Sequence, residues 1–168
     1  FKDPILKGKI NHTAVVTKIS ENESYNKWLV GQIRRSYSAG RHTLVVSDRI
    51  NQLRYFQQSL LDISDKVGFY ADPGTEGKES LAKAKEKDII LATYGMVAEG
   101  TDVPSLDTLI LATPRTDVEQ VLGRIQRVYE GKKELLVVDS FFDSCYNKAL
   151  AQKRRKIMEA VGFTPHLI

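Results

Sequence analysis

Four short runs of apolar β-formers constrain this chain more than anything else in it: TLVVS at 43–47, DIILA at 88–92, TLILA at 108–112 and LLVVD at 135–139. Each is continuous rather than alternating, the pattern of a strand buried on both faces. Helix-length stretches separate them. We read strands at 13–19, 43–47, 66–70, 88–92, 108–111 and 135–139, and helices at 23–39, 49–61, 75–85, 96–99, 117–128 and 146–161. Strands alternating with helices imply right-handed βαβ crossovers. The expected fold is α/β: a doubly wound parallel sheet of about six strands with helices on both faces. Two helix starts carry capping-box spelling, with Ser20 three residues before Glu23 and Thr116 three before Glu119.

The 168 residues suit one domain, 1–168, with room for a real core. No repeat, low-complexity segment or long linker divides them. An apolar content of 42% and a charged content of 27% are those of a globular chain, and no apolar run is long enough to span a bilayer. A membrane partner is therefore not expected. The net charge of +4 permits a polyanionic partner without demanding one. The single cysteine, Cys145, has no motif around it and reads as structural. His12, His42 and His166 are scattered, so no metal site is expected.

In such sheets ligands bind beyond the carboxyl ends of the strands. The loops that matter are SDR after the second strand, TYGMVAEGTDVP after the fourth and TPRTD after the fifth. The last runs into EQVLGRIQRVYEGK, 119–132. A helix advances about 100° per residue, so Gln120, Arg124 and Arg127 would share one face with Gly123 beside them. Val118, Val121, Leu122 and Ile125 would dock on the core. Two parallel guanidiniums call for an anion between them, although a solvated helix face fits the same spelling. In EGTD, Gly100 lets backbone approach a ligand and Asp102 is an exposed acceptor suited to a ribose hydroxyl. A turn stabilised by Asp fits equally. Asp48 is either the N-cap of the next helix or a ligand contact. Trp28 reads as core, with a base-stacking platform as the alternative. Lys148, Lys153, Arg154, Arg155 and Lys156 read as a solvated terminal helix, or else as a stripe along a nucleic-acid backbone.

Taken together and in order, TLVVSDR, DIILATYGMVAEGTDVP, LDTLILATP and QVLGRIQR resemble motifs IV, V, Va and VI of the second RecA-like domain of superfamily 2 helicases of the DEAD/DEAH type. The resemblance is strongest to the phage and large-DNA-virus branch, with UvsW and XPB types akin. It covers residues 43–139 firmly. It implies that Arg127 is an arginine finger for the γ-phosphate of ATP and Arg124 its companion. Gln120, Gly100, Asp102 and Gly123 would face the nucleotide. Thr93, Tyr94, Gly95, Ser47 and Arg49 would face the nucleic acid. One departure stands out: Lys78, Glu79 and Ser80 occupy the place where many relatives carry an arginine.

ADPGTEGKES is not a P-loop. That motif is spelled G-x-x-x-x-G-K-[ST], whereas Asp72 stands at the first glycine position and Glu79 follows Lys78. No Asp-Glu dipeptide occurs anywhere, and no G-x-G-x-x-G follows a strand. With Phe1 rather than Met at its start, the chain reads as the C-terminal motor half of an ATP-dependent helicase or translocase. ATP with Mg2+ would then be bound mainly by an N-terminal RecA-like domain of the same polypeptide, and the fragment alone would be inactive. The expected partner is single-stranded or duplex nucleic acid, DNA favoured. The expected site of action is intracellular: host cytoplasm or viral factory if viral, with the nucleus also open. The alternative is a non-catalytic α/β interaction module derived from a helicase domain.

Overall fold

The structure, a computed structural model, describes residues 4–71, 77–100, 102–140, 142 and 145–166. Pro73, Gly74, the first two residues of the helix expected at 75–85 and the side chain of Cys145 lie outside the described set. The chain opens with a two-stranded hairpin, β1 (Ile5–Leu6) and β2 (Lys9–Ile10), followed by α1 (His12–Ser20) and α2 (Glu23–Ser38). Five strands then build a parallel sheet: β3 (Thr43–Ser47), β4 (Val67–Tyr70), β5 (Ile89–Thr93), β6 (Thr108–Leu111) and β7 (Leu136–Val138). Between and after them come α3 (Ile50–Ser59), a 3-10 segment (Leu61–Lys66), α4 (Lys78–Ala84), α5 (Tyr94–Gly100), α6 (Glu119–Ile125) and α7 (Cys145–Ala160).

The sheet order is β4-β5-β3-β6-β7. Central β3 sets the register: Val45 lies opposite Leu91 of β5 and Ile110 of β6. Alternate residues of the same strands serve two cores. Leu44, Val46, Ile90, Ala92, Leu109 and Leu111 pack on one face, with Val97 of α5 and Val121, Leu122 and Ile125 of α6. Val45, Ile89, Leu91 and Ile110 pack on the other, with Leu29 and Ile33 of α2 and Leu53 and Phe56 of α3. β3, β5 and β6 are continuous apolar runs because both of their faces are covered, whereas β7 lies at the sheet edge with Leu136 39% exposed. Gly68 in β4 shows how close one layer comes: a Cβ there would lie 2.2 Å from the Ala84 carbonyl oxygen at the end of α4.

Three local expectations are corrected. Residues 13–19 are helical, not extended. Thr13, Val15, Val16, Thr17 and Ile19 favour strand by β-branching. The Asn11 side chain, however, accepts from the Ala14 N–H and starts a helix whose Val15, Val16 and Ile19 are buried. Among the described residues the parallel sheet therefore has five strands, where about six were expected. Neither capping box forms. Asn22, not Ser20, caps α2 by accepting from the Tyr25 N–H, and Val118 precedes α6 with no side-chain cap. Trp28 is 38% exposed and stacks on Tyr25 with ring centroids 6.0 Å apart, so it is not a core residue.

Candidate nucleotide and strand-binding site

The connections fix where a ligand cleft can lie. From β3 the chain leaves for the β4 edge through α3, and from β6 it leaves for the opposite edge through α6. The loops after β3 and β6 therefore part company between neighbouring strands, the switch point at which open α/β sheets bind ligands. A cleft of roughly 500 Å³ opens there, lined among others by Thr13, Asp48, Arg49, Arg115 and Asp117.

The two loops are cross-bonded. The Asp48 N–H donates to Thr113 Oγ1 at 2.9 Å, and Arg115 donates to the Asp48 carboxylate at 3.1 Å and to Asp117 at 2.6 Å. The Arg115 guanidinium also lies over the ring of Tyr94, 4.9 Å from its centroid. Its bond to Asp117 raises the arginine's pKa and holds the Asp117 carboxyl below its ordinary value. Beneath this cluster Arg154 of α7, only 2% exposed, donates to both oxygens of Asp139 at 3.2 and 3.0 Å. It also reaches the carbonyls of Ser140 (3.2 Å) and Arg115 (3.4 Å). Burial pushes the Asp139 pKa up, and Arg154 opposes that shift.

Several residues expected at the surface are turned inward. Tyr94 is buried and its hydroxyl donates to the Thr113 carbonyl at 3.0 Å, so its side chain is committed inside the fold beneath the cleft. Burial pushes its pKa well up. Ser47 is buried too. Its hydroxyl donates to Gln52 Oε1 at 2.6 Å and accepts the Arg49 N–H at 2.9 Å, so Ser47 ties down the start of α3 and Asp48 is not the N-cap. Gln52 passes the tie to Asn26, and Asn26 to the Ser20 carbonyl. Arg49 is half-buried and gripped by α1: it donates to Thr17 Oγ1 at 3.2 Å and to the Thr13 carbonyl at 3.1 Å. Thr93 is half-buried and Gly95 exposed. Arg154 leaves the proposed basic stripe altogether.

The second part of the site lies where α5 and α6 end. Gln120 and Gly123 are exposed on α6 and Arg124 is half-buried, while Val118, Val121, Leu122 and Ile125 face the core as expected. Arg127 does not share their helix face. The helix stops at Ile125, three residues short of the expected end. Gly131 turns the chain with φ +76°, and the Lys132 ammonium takes the Ile125 carbonyl, which ends the helix ladder. Arg127 thus stands on the loop beyond, where it pairs with Asp102 from the loop after α5. Both side chains are open to solvent, 41% and 66% exposed. Gly100, the last residue of α5, has φ +145° and nothing within 4 Å of a would-be Cβ, so its backbone is approachable.

This end of the molecule thus brings together an exposed guanidinium, an exposed carboxylate and a glycine with open space beside it. No group of three or more His, Cys, Asp or Glu side chains that could hold a metal occurs among the described residues. No described helix is long and apolar enough to cross a membrane. Arg115, Asp139 and Lys132 were not singled out from the sequence. The first had a signal in its place directly after a buried strand, and Lys132 had one in following a helix C-terminus.

No family model matches the chain. It is 30% identical over 134 residues to "Putative ATP-dependent RNA helicase L396" of Acanthamoeba polyphaga mimivirus, a match covering 78% of this chain and 25% of that protein. It is 26% identical over 165 residues to "Putative ATP-dependent RNA helicase QP509L" of African swine fever virus (isolate Pig/Kenya/KEN-50/1950), covering 86% of this chain and 32% of that one. The structure of T4 UvsW superposes with a TM-score of 0.68 at 19% identity, over 92% of this chain and 36% of UvsW. Fold and sequence together define a helicase-related RecA-like domain. Within that class its sequence relatives are viral helicases, and the chain spans between a quarter and a third of their length.

Proposed function

We propose that the chain is the C-terminal motor half of an ATP-dependent helicase or translocase, with Arg127 as its arginine finger. The observation that carries this reading is the setting of Arg127. Its guanidinium stands at the surface on a loop past α6, and its recorded carboxylate partner, Asp102, is itself exposed. An ion pair this exposed to water contributes little, so Asp102 would give way to a triphosphate. An always-cationic, planar guanidinium stabilises charge that develops on a transferring phosphoryl group, an effect worth ~10³–10⁵ in rate. Arg124 and Gln120, one to two turns earlier on the outer side of α6, would flank the same cleft. Gly100 and Asp102 would meet the ribose and backbone side of the nucleotide.

The rest of the nucleotide site, with Mg2+, would come from an N-terminal RecA-like domain of the same polypeptide. The short span of the chain against its relatives supports this. Nucleic acid would cross the carboxyl ends of the strands, past Thr93, Gly95 and Arg49. The relatives' names favour RNA over the DNA expected from sequence. The isolated 168-residue chain would then show negligible ATP hydrolysis.

The test is the ATPase activity of the full-length protein, with and without single-stranded RNA or DNA, for wild type and Arg127→Ala. Stimulated turnover is expected to fall ~10³-fold or more while ATP still binds. Unchanged turnover would remove Arg127 from the chemistry. A full-length wild type with no ATPase at all would instead make this domain a non-catalytic interaction module.

A further inference from the structure

We propose that Lys132 is a positioning residue that sets the Arg127 guanidinium for the reaction, an inference that rests on the finger reading of Arg127. An ammonium has three protons, and all three are used here. Lys132 donates to the Arg127 carbonyl at 2.7 Å, to the Pro104 carbonyl at 3.1 Å and to the Ile125 carbonyl. Each acceptor has a different consequence. The Ile125 carbonyl is the end of α6. The Arg127 carbonyl belongs to the finger's own backbone. The Pro104 carbonyl lies two residues past Asp102, on the loop that carries the finger's partner. One cation therefore fixes where α6 stops, where the finger loop begins and how far that loop stands from the loop of Asp102.

Turn geometry reinforces the arrangement. Gly131 adopts φ +76°, and the Lys132 N–H donates back to the Tyr129 carbonyl at 3.3 Å, so 129–132 fold over and bring the side chain beneath the loop. Val103 and Leu106 close the facing loop with their own backbone bond at 3.1 Å. Partial burial lowers the Lys132 pKa, with Asp107 opposing the shift, as expected for an ammonium drawn under two loops. The finger's side chain is exposed and long, so it has many rotamers. Its backbone, in contrast, is pinned from below. Only the side chain is left to move when an anion replaces Asp102.

A lysine that merely capped a helix would be indifferent to Arg127. Four full-length proteins separate the two roles in a strand-stimulated ATPase assay: Arg127→Ala, Lys132→Met, Lys132→Arg and the double variant Arg127→Ala/Lys132→Met. A displacement of about 1 Å at a catalytic group costs up to ~10²-fold. Lys132→Met is thus expected to lower kcat by ~10–100-fold with KM for ATP within about twofold. Lys132→Arg, which keeps the charge and donors, is expected to recover part of kcat. The double variant is expected to be no slower than Arg127→Ala alone, because positioning has no value once the finger is gone. Equal losses from Lys132→Met in the presence and absence of Arg127 would overturn the proposal, as would an undiminished kcat in Lys132→Met beside a slow Arg127→Ala. Full turnover in Arg127→Ala would overturn the finger reading and this inference with it.

Discussion

Two arginine–aspartate pairs in this molecule have the same chemistry and opposite uses. Arg154 and Asp139 meet under the carboxyl end of the sheet, with the guanidinium 2% exposed and spread over a carboxylate and two carbonyls. Arg127 and Asp102 meet on two surface loops, both largely in water. The difference lies in what happens if one partner leaves. At the inner pair a buried charge is stranded. At the outer pair water takes the vacant place, so the arginine is free to exchange its partner. On the finger reading proposed above, the inner pair braces the cleft and the outer pair gives up its arginine to a phosphate.

Double-mutant cycles on the 168-residue chain test that contrast. The largest effect is expected at the inner pair: Arg154→Met leaves Asp139, 23% exposed, without its guanidinium and costs ~2–3 kcal/mol of unfolding free energy, less than a fully buried pair would, at about 2–4 °C of thermal midpoint per kcal/mol for this size. A loss under ~1 kcal/mol would mean that Asp139 finds other partners and that the inner pair is no brace. At the outer pair, Asp102→Ala, Arg127→Ala and their combination are expected to stay within ~1 kcal/mol of wild type, with a coupling energy below that. A coupling as large as the inner pair's would show Arg127 to be locked to Asp102 and unfit to change partners.

The legibility of the sequence divides along the same line. The sheet could be read because β3, β5, β6 and β7 are apolar on both faces, a pattern with one structural meaning. The inner side of α6 could be read for a similar reason. Residues 13–19 could not, since β-branching argued for a strand while a single side chain, Asn11, decided for a helix. Asp102 and Arg127, two candidate residues read separately in the sequence, are joined by the fold in one exposed ion pair. The site was illegible where a polar residue is spent internally. Ser47, Tyr94 and Arg154 look like surface chemistry in a linear string and are committed to Gln52, Thr113 and Asp139 in the fold. Lys132 was hidden because its three partners are backbone carbonyls, which leave no trace in side-chain spelling.

Arg115 joins the two regimes, and its acid dependence gives the finest test. It shares itself between half-buried Asp48 and Asp117, the latter 66% exposed. The bond from Arg115 depresses the Asp117 pKa in the folded state. A depressed carboxylate adds stability above its unfolded pKa, and that stability is lost as pH falls through the folded value. Asp139 runs the other way. Its folded pKa is raised by burial, so its contribution is full below the unfolded carboxylate pKa and is lost as pH rises through the folded one. On acidification the two therefore oppose each other. Asp117→Asn removes only the first, and solvent screening keeps that contribution under ~0.5 kcal/mol. Urea unfolding at pH 7, 5 and 3 is thus expected to show a slightly smaller acid loss in Asp117→Asn than in wild type. An unchanged acid limb would assign the whole of Arg115 to Asp48 and the inner brace. A change above ~1 kcal/mol would instead make Asp117 a structural partner, and the border between fixed and exchangeable charge would lie further out than the exposure of these side chains implies.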